Sequence, residues 1–193
     1  MIPPIILRTS DVVRLSDEEL FRLCAANREL RIERDSNGNL IIMAPAGGET
    51  SARNVNLGAD LVIWNRETRL GIAFDSNGGF VLPNGAMRAP DVSWIPIERW
   101  NALSPEQRKK FLPLCPDFVV ALRSPSDRLA DVKKKMQEWL ANGCRLGWLI
   151  DPEEEKAYIY RENGEQSVVE SFDETLSGED VMPGFVLALK ELR

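Results

Sequence analysis

The chain has 193 residues, a hydrophobic fraction of 44% and a formal net charge of −6, and it contains no histidine. This length and apolar content suffice for one substantial core, whereas the acidic balance excludes a surface that coats nucleic acid indiscriminately. The absence of histidine excludes Ser-His and Cys-His nucleophilic centres and imidazole metal sites, so carboxylate, lysine and arginine chemistry remains.

The cysteines and the N-terminus bear on where the protein resides. Cys24, Cys115 and Cys144 are odd in number and widely spaced, which favours reduced thiols over a disulfide framework or a zinc site. The N-terminus lacks a basic start followed by a long apolar stretch, and no window approaches eighteen consecutive apolar residues. We therefore expect a cytoplasmic protein that does not span a membrane.

The first part of the chain predicts a helix followed by a hairpin. Ser16 and Glu19 have capping-box spacing for a helix that runs to about Asn27. Residues 30–34 alternate apolar and charged side chains, and residues 40–43 resume an extended apolar run after a turn signal. This pattern indicates two antiparallel strands with a polar face.

The middle of the chain predicts a long helix between two groups of strands. The helix runs from Glu49 to about Arg69, where a glycine follows, and its apolar residues at helical spacing are Val55, Ala59, Val62 and Ile63. Extended segments follow at 71–75 and 80–83, separated by a Ser-Asn-Gly-Gly turn. A further strand is expected at 88–95.

The remaining segments alternate helices and strands. Ser104 begins a short helix, and Ser124 to Asp127 cap a helix that reaches about Asn142. The other predicted strands are 118–123, 147–151, 158–160 and 167–169. No internal repeat or linker divides the chain, so we predict one α/β domain over residues 1–193, with a central mixed β-sheet flanked by helices.

Two strands carry the residues that suggest chemistry. Pro90-Asp91 precedes one apolar strand, and about thirty residues later a second strand presents Ala121 and Arg123 on the face that also carries Asp117 and Val119. If Asp91 abuts that face, a carboxylate in place of Ala121 would complete a paired oxygen site for Mg²⁺ or Mn²⁺. Alanine cannot ligate a cation.

The ordered motifs of the chain resemble the Uma2 family, whose members are endonucleases of the PD-(D/E)XK, restriction endonuclease-like superfamily and are common in bacteria. The resemblance covers nearly the whole chain. It rests on Glu33 in its hairpin and on the segments 44–49, 74–80, Pro90-Asp91, 118–127, 135–143 and 147–152. It implies a restriction endonuclease-like fold and metal-dependent cleavage of DNA.

The resemblance also implies a role for each matched residue. Asp91 is the principal metal ligand and Glu33 a second site carboxylate near the metal. The second acidic ligand maps to Ala121 and the superfamily lysine to Arg123, which would stabilise phosphate charge, while Lys135 supplies the ammonium that orients or deprotonates water. The chain departs from the superfamily at Ala121 and Arg123.

The loss of a ligand at Ala121 predicts weakened Mg²⁺ or Mn²⁺ binding and little or no cleavage. Two explanations stay open: a natural loss in a degenerate homologue, or an engineered substitution that traps a nuclease. Two other functions also stay open, namely a non-catalytic binding or interaction protein that retains the nuclease fold and a hydrolase of small phosphoesters. A homodimer is a further expectation, because a small nuclease would otherwise cut two strands by independent visits.

Overall fold

The computed structural model describes residues 4–10 and 12–193. Within them the helices are α1 (Asp17–Ala26), α2 (Gly48–Thr68), α3 (Ile97–Asn101) and α4 (Leu129–Ala141), with 3₁₀ turns at Gln107–Lys109 and Leu189–Leu192. The strands are β1 (Ile5–Leu7), β2 (Arg31–Arg34), β3 (Leu40–Met43), β4 (Gly71–Phe74), β5 (Phe80–Val81), β6 (Met87–Arg88), β7 (Val92–Pro96), β8 (Phe118–Leu122), β9 (Leu146–Asp151), β10 (Lys156–Arg161), β11 (Gln166–Val169), β12 (Thr175–Ser177) and β13 (Val186–Ala188).

A six-stranded mixed sheet forms the centre, in the order β11-β10-β9-β8-β7-β4. Its β8 and β9 strands are parallel because α4 connects them, and its other neighbours are antiparallel. A five-stranded sheet, β1-β3-β2-β6-β5, stands beside it, and β12 and β13 pair separately. The predicted α/β fold with a central mixed sheet flanked by helices is therefore confirmed.

Each face of the central sheet has its own apolar layer. One layer joins α2 and the C-terminal segment to the sheet through Leu61, Trp64, Trp148 and Phe185. The opposite layer packs α4 against it, with Met136 among the buried side chains. Lys135 of α4 lies near the end of β8, since it lines the same cavity as Ala121 and Leu122.

Local sequence signals placed several elements correctly. The Ser16–Glu19 capping box is present in both directions, and α1 ends at the predicted position. The hairpin of β2 and β3 is also confirmed, with Ile32 opposite Ile42. These elements form as expected because caps and tight turns depend on residues a few positions apart.

Other sequence expectations were wrong in detail. The helix expected to begin at Ser104 is only the 3₁₀ turn at 107–109, although Ser104 and Gln107 do exchange hydrogen bonds. In α2 the buried apolar residues are Leu57, Leu61 and Trp64, whereas Val55 and Ile63 are exposed. Apolar side chains occur on more than one side of α2, and the side that packs against the central sheet is the one with the larger residues.

The described residues include no helix that is both long and apolar enough to cross a membrane.

Candidate functional site

Asp91 lies immediately before β7 and is bonded to the end of β8. Val92 pairs with Val120, and the backbone N–H of Asp91 donates to the carbonyl oxygen of Val120 at 3.1 Å. Continuing this antiparallel register by one residue sets Asp91 opposite Ala121. The structure thus brings together the two strand positions that the sequence singled out.

Only one oxygen of the Asp91 carboxylate is hydrogen-bonded to the described residues. One oxygen, Oδ2, accepts a hydrogen bond from the backbone N–H of Leu122 at 2.8 Å, and the other accepts none from the residues that the structure describes. Burial raises the pKa of Asp91 above its usual value, although the Leu122 N–H and the charges of Arg31 and Lys135 oppose this. One carboxylate oxygen therefore remains available for a ligand.

Glu33, in β2, is a buried carboxylate held by two cations. Oε1 accepts hydrogen bonds from Lys135 Nζ at 2.8 Å and from the Ala89 N–H at 3.1 Å, and Oε2 accepts one from Arg88 at 3.1 Å. Burial would raise its pKa, but Lys135 and Arg88 outweigh burial and lower the pKa below the usual value. Both oxygens of Glu33 are thus engaged by protein donors.

Arg88 extends this cluster to α4. Its Nε donates to Glu138 at 2.7 Å, and Glu138 also accepts from the side chain of Asn84 at 3.1 Å. Two carboxylates, Glu33 and Glu138, therefore face two cations, Arg88 and Lys135. This balanced set ties the five-stranded sheet to α4 and fixes the position of Lys135.

Arg123 lies apart from this group. Its guanidinium donates to Asp151 at 2.6 Å and to the Asp127 backbone carbonyl at 3.2 Å, and it also contacts Glu153 at 3.3 Å. The structure therefore brings together Glu33, Asp91, Ala121 and Lys135, but not Arg123. The Arg123 guanidinium, which was predicted to face a phosphate, is instead paired with the carboxylates of Asp151 and Glu153.

Two adjoining cavities surround Asp91. The smaller, of about 170 Å³, is lined by Asp91, Ala121 and Lys135 together with Asp127. The larger, of about 920 Å³, extends between the β2–β3 hairpin and α2. Both are lined by Arg31, Asp91, Ala89 and residues 43–46, so they form one cleft that opens from the site.

Sequence reasoning did not assign site roles to Arg31, Arg88 or Asp127. Arg88 is two residues before Pro90-Asp91, yet its partner Glu33 is 55 positions away, so no local pattern points to that pair. The prediction that Ser124 to Asp127 cap α4 is wrong, because α4 has Arg128 as its N-cap, and Asp127 instead accepts hydrogen bonds from the backbone and hydroxyl of Ser124. The alternation of β2 was a usable signal for Arg31, because it places Arg31 on the same side as Glu33.

The donor set does not fit a tightly held divalent ion. Mg²⁺ and Mn²⁺ need several oxygen ligands, but Glu33 has both oxygens engaged, Asp91 offers one, and Ala121 offers none. Across residues 4–10 and 12–193 there is no group of three Cys, Asp or Glu side chains placed to hold a metal ion. The ligand role predicted for Glu33 would require it to leave its cations.

Comparison with known proteins identifies the family. The model of the Uma2 family, described as "Putative restriction endonuclease", matches residues 17–190. A crystal structure of "a putative nuclease belonging to DUF820 from Anabaena variabilis ATCC 29413" is similar with a TM-score of 0.71 and 22% identity, covering 83% of this chain and 88% of that chain. No curated protein matches. The likeness to the Anabaena protein shows a shared nuclease-like fold, and because the family model spans most of the sequence, the chain belongs to the Uma2 family.

Proposed function

We propose that this chain is a DNA-binding member of its nuclease family in which metal-dependent phosphodiester hydrolysis is strongly attenuated at Ala121. The observation that carries the proposal is the strand register: Asp91, with one free carboxylate oxygen, faces a methyl group across β7 and β8. The position that should complete the oxygen pair lies within the smaller cavity. The same cavity is lined by two cations, Arg31 and Lys135, that would attract a phosphate.

The chain's own residues support binding more than cleavage. Lys135 presents an ammonium to the cavity that Asp91 lines, and the larger cavity continues from there. A second carboxylate is the missing component, since two oxygen ligands from adjacent strands would bind Mg²⁺ or Mn²⁺, and such an ion polarises the scissile phosphate. Lys135 would orient or deprotonate the water, which requires it to loosen from Glu33.

The alternative is a binding or interaction protein that retains the fold and has lost catalysis altogether. The observation in its favour is that both oxygens of Glu33 are bonded to Lys135, Arg88 and the Ala89 N–H. If this cluster is permanent, replacing Ala121 alone restores nothing. Restoration at one position therefore separates the two functions.

The test is the substitution Ala121→Glu. Ala121 lines a cavity of about 170 Å³, which leaves space for the longer side chain. We expect calorimetry to show Mn²⁺ affinity at least about 10-fold above that of the unaltered chain, with metal-dependent nicking of supercoiled plasmid. The control Ala121→Gln has the same size without the charge and should restore neither property.

A further control is Asp91→Asn combined with Ala121→Glu, which should abolish any gain because it removes the other carboxylate. If Ala121→Glu folds normally but gains neither Mn²⁺ affinity nor nicking, the attenuated-nuclease proposal fails and the binding protein stands. Linear rather than nicked plasmid as the first product would support a homodimer, since two sites are then cutting together.

A further inference from the structure

Arg31 is a cation of the site that forms no ion pair with a carboxylate of the described residues 4–10 and 12–193. It lies at the start of β2 and lines both cavities of the cleft. Its Nη2 donates to the backbone carbonyl of Ala89 at 3.1 Å, whereas its Nε is buried and has no hydrogen-bond partner in the part of the chain that the structure describes. Buried polar atoms are normally satisfied, so a buried guanidinium N–H without an acceptor indicates a missing partner.

Arg28, which lines only the larger cavity, donates to the Ala25 carbonyl and likewise forms no ion pair with a described carboxylate, but four other cations differ from Arg31 in this respect. Each has a carboxylate within ion-pair distance: Arg34 has Asp17, Arg88 has Glu33 and Glu138, Arg123 has Asp151 and Glu153, and Lys135 has Glu33. For Arg31 the described part of the chain supplies no such carboxylate. A partly buried charge without a counterion is costly, and an external anion would offset that cost.

Arg31 and the start of α2 favour an anion in the cleft, against the repulsion of the Asp91 and Asp127 carboxylates that also line it. Asp91 is near enough to be stabilised by the charge of Arg31, but it forms no ion pair with it, so the guanidinium and the free Asp91 oxygen border the same space. Ala46 and Thr50, at the start of α2, line the smaller cavity too. The positive potential of a helix N-terminus acts there in the same direction as Arg31.

We propose that Arg31 binds a phosphate oxygen of nucleic acid in this cleft and thereby supplies the anion contact that the sequence suggested for Arg123. The inference rests on the proposed function, in that DNA is the occupant of the cleft. A guanidinium matches the geometry of phosphate oxygens, and Nη1 of Arg31 donates to none of the described residues. The cleft is also much larger than a single phosphate group, which favours a polymer that continues into the larger cavity.

The experiment measures DNA binding in the absence of metal, so that it is independent of cleavage. A short fluorescein-labelled duplex is titrated with the full chain in EDTA, and anisotropy is followed over a range of KCl concentrations. Arg31→Gln should weaken binding about 10-fold or more and make the slope of log K against log salt shallower by about 0.9. Arg31→Lys keeps the charge, and it should preserve the slope with intermediate affinity.

The matched control is Arg66→Gln. Arg66 is an exposed arginine near the end of α2 that lines neither cavity. It lies about 27 Å along the helix from Gly48 at 1.5 Å per residue. This variant loses the same charge but outside the cleft, so its affinity for the duplex and its salt slope should equal those of the unaltered chain. Thermal melting of each variant reports whether it folds.

Equal duplex affinity and salt slope for Arg31→Gln and the unaltered chain would overturn the proposal. Inorganic phosphate is the second probe: if only phosphate binding depends on Arg31 and duplex does not bind, the nucleic-acid assignment is overturned. An Ala121→Glu variant that fails to cut while Arg31-dependent duplex binding persists would instead overturn the attenuated-nuclease proposal alone.

Discussion

Glu33 shows how a single charge in this protein depends on distant partners. It is 1% exposed, and its two oxygens are bonded to Lys135, Arg88 and the Ala89 N–H. Removing one partner of a buried ion pair leaves the other charge uncompensated. We therefore predict that Glu33→Gln lowers the free energy of unfolding by about 3 kcal/mol at pH 7 in urea denaturation.

The same pair predicts a pH dependence. The pKa of Glu33 is lowered from 4.5, so near that pH the unfolded chain binds more protons than the folded chain. The stability that Glu33 contributes is present above pH 4.5 and is lost as the pH falls through the lowered pKa. The difference in free energy of unfolding between Glu33→Gln and the unaltered chain should therefore become smaller as the pH falls below 4.5.

The control for this prediction is Glu49→Gln, in which an exposed carboxylate 3.5 Å from the partly buried Arg53 is removed, and it should change the free energy of unfolding by less than about 1 kcal/mol. A Glu33→Gln variant as stable as this control at pH 7 would contradict the role of the buried cluster.

At the scale of elements, glycine has a different structural effect in α2 and in β4. Gly58 lies inside α2, and a Cβ added there meets nothing within 4 Å. Gly71 begins β4, where an added Cβ would collide with the carbonyl oxygen of Ile95 and the ring of Trp94 on β7. Gly58 therefore lowers the stability of α2 without a packing reason, whereas Gly71 allows β4 to pair closely with β7.

Alanine substitutions should therefore have opposite effects at these two positions. Gly58→Ala should raise the free energy of unfolding by about 1 kcal/mol, because it removes the entropic cost of a helical glycine. Gly71→Ala should lower it by about 1–3 kcal/mol, because β4 and β7 must separate. Urea unfolding midpoints of both variants provide the measurement; a loss for Gly58→Ala or a gain for Gly71→Ala would contradict the packing described.

At the scale of the whole molecule, the two larger sheets share apolar packing. One buried cluster includes Phe80 and Leu82 from the region of the five-stranded sheet with Val119 and Leu149 from the central sheet. A shared core couples the two sheets, so partial unfolding would expose apolar surface on both. The single domain over residues 1–193 stays a prediction, and the cooperativity of unfolding would test it.

We therefore predict one cooperative unfolding transition. Four tryptophans, Trp64, Trp94, Trp139 and Trp148, are buried around the central sheet and report its packing by fluorescence. Far-ultraviolet circular dichroism reports secondary structure throughout the chain. The two urea transitions should coincide, and separated midpoints would show that the sheets unfold independently.

The elements were more predictable than the contacts between them. Ser16 and Glu19 are three residues apart, and the turn between β2 and β3 is short, so local patterns contained the necessary information. The face of α2 was not predictable in this way, because apolar residues such as Val55 and Leu61 occur on different sides. Which side is buried depends on the sheet that packs against it.

By itself the sequence determined the fold class, the strands that carry Asp91 and Ala121, and the absence of a carboxylate at position 121. The tertiary structure decided which charges are satisfied. Lys135 is 102 residues from Glu33, and Arg123 is 28 residues from Asp151, so periodicity along one strand or helix could not reveal either pair. Ion pairing depends on distances across the folded chain, and only those distances leave Arg31 without an ion pair to a described carboxylate and give Arg123 two.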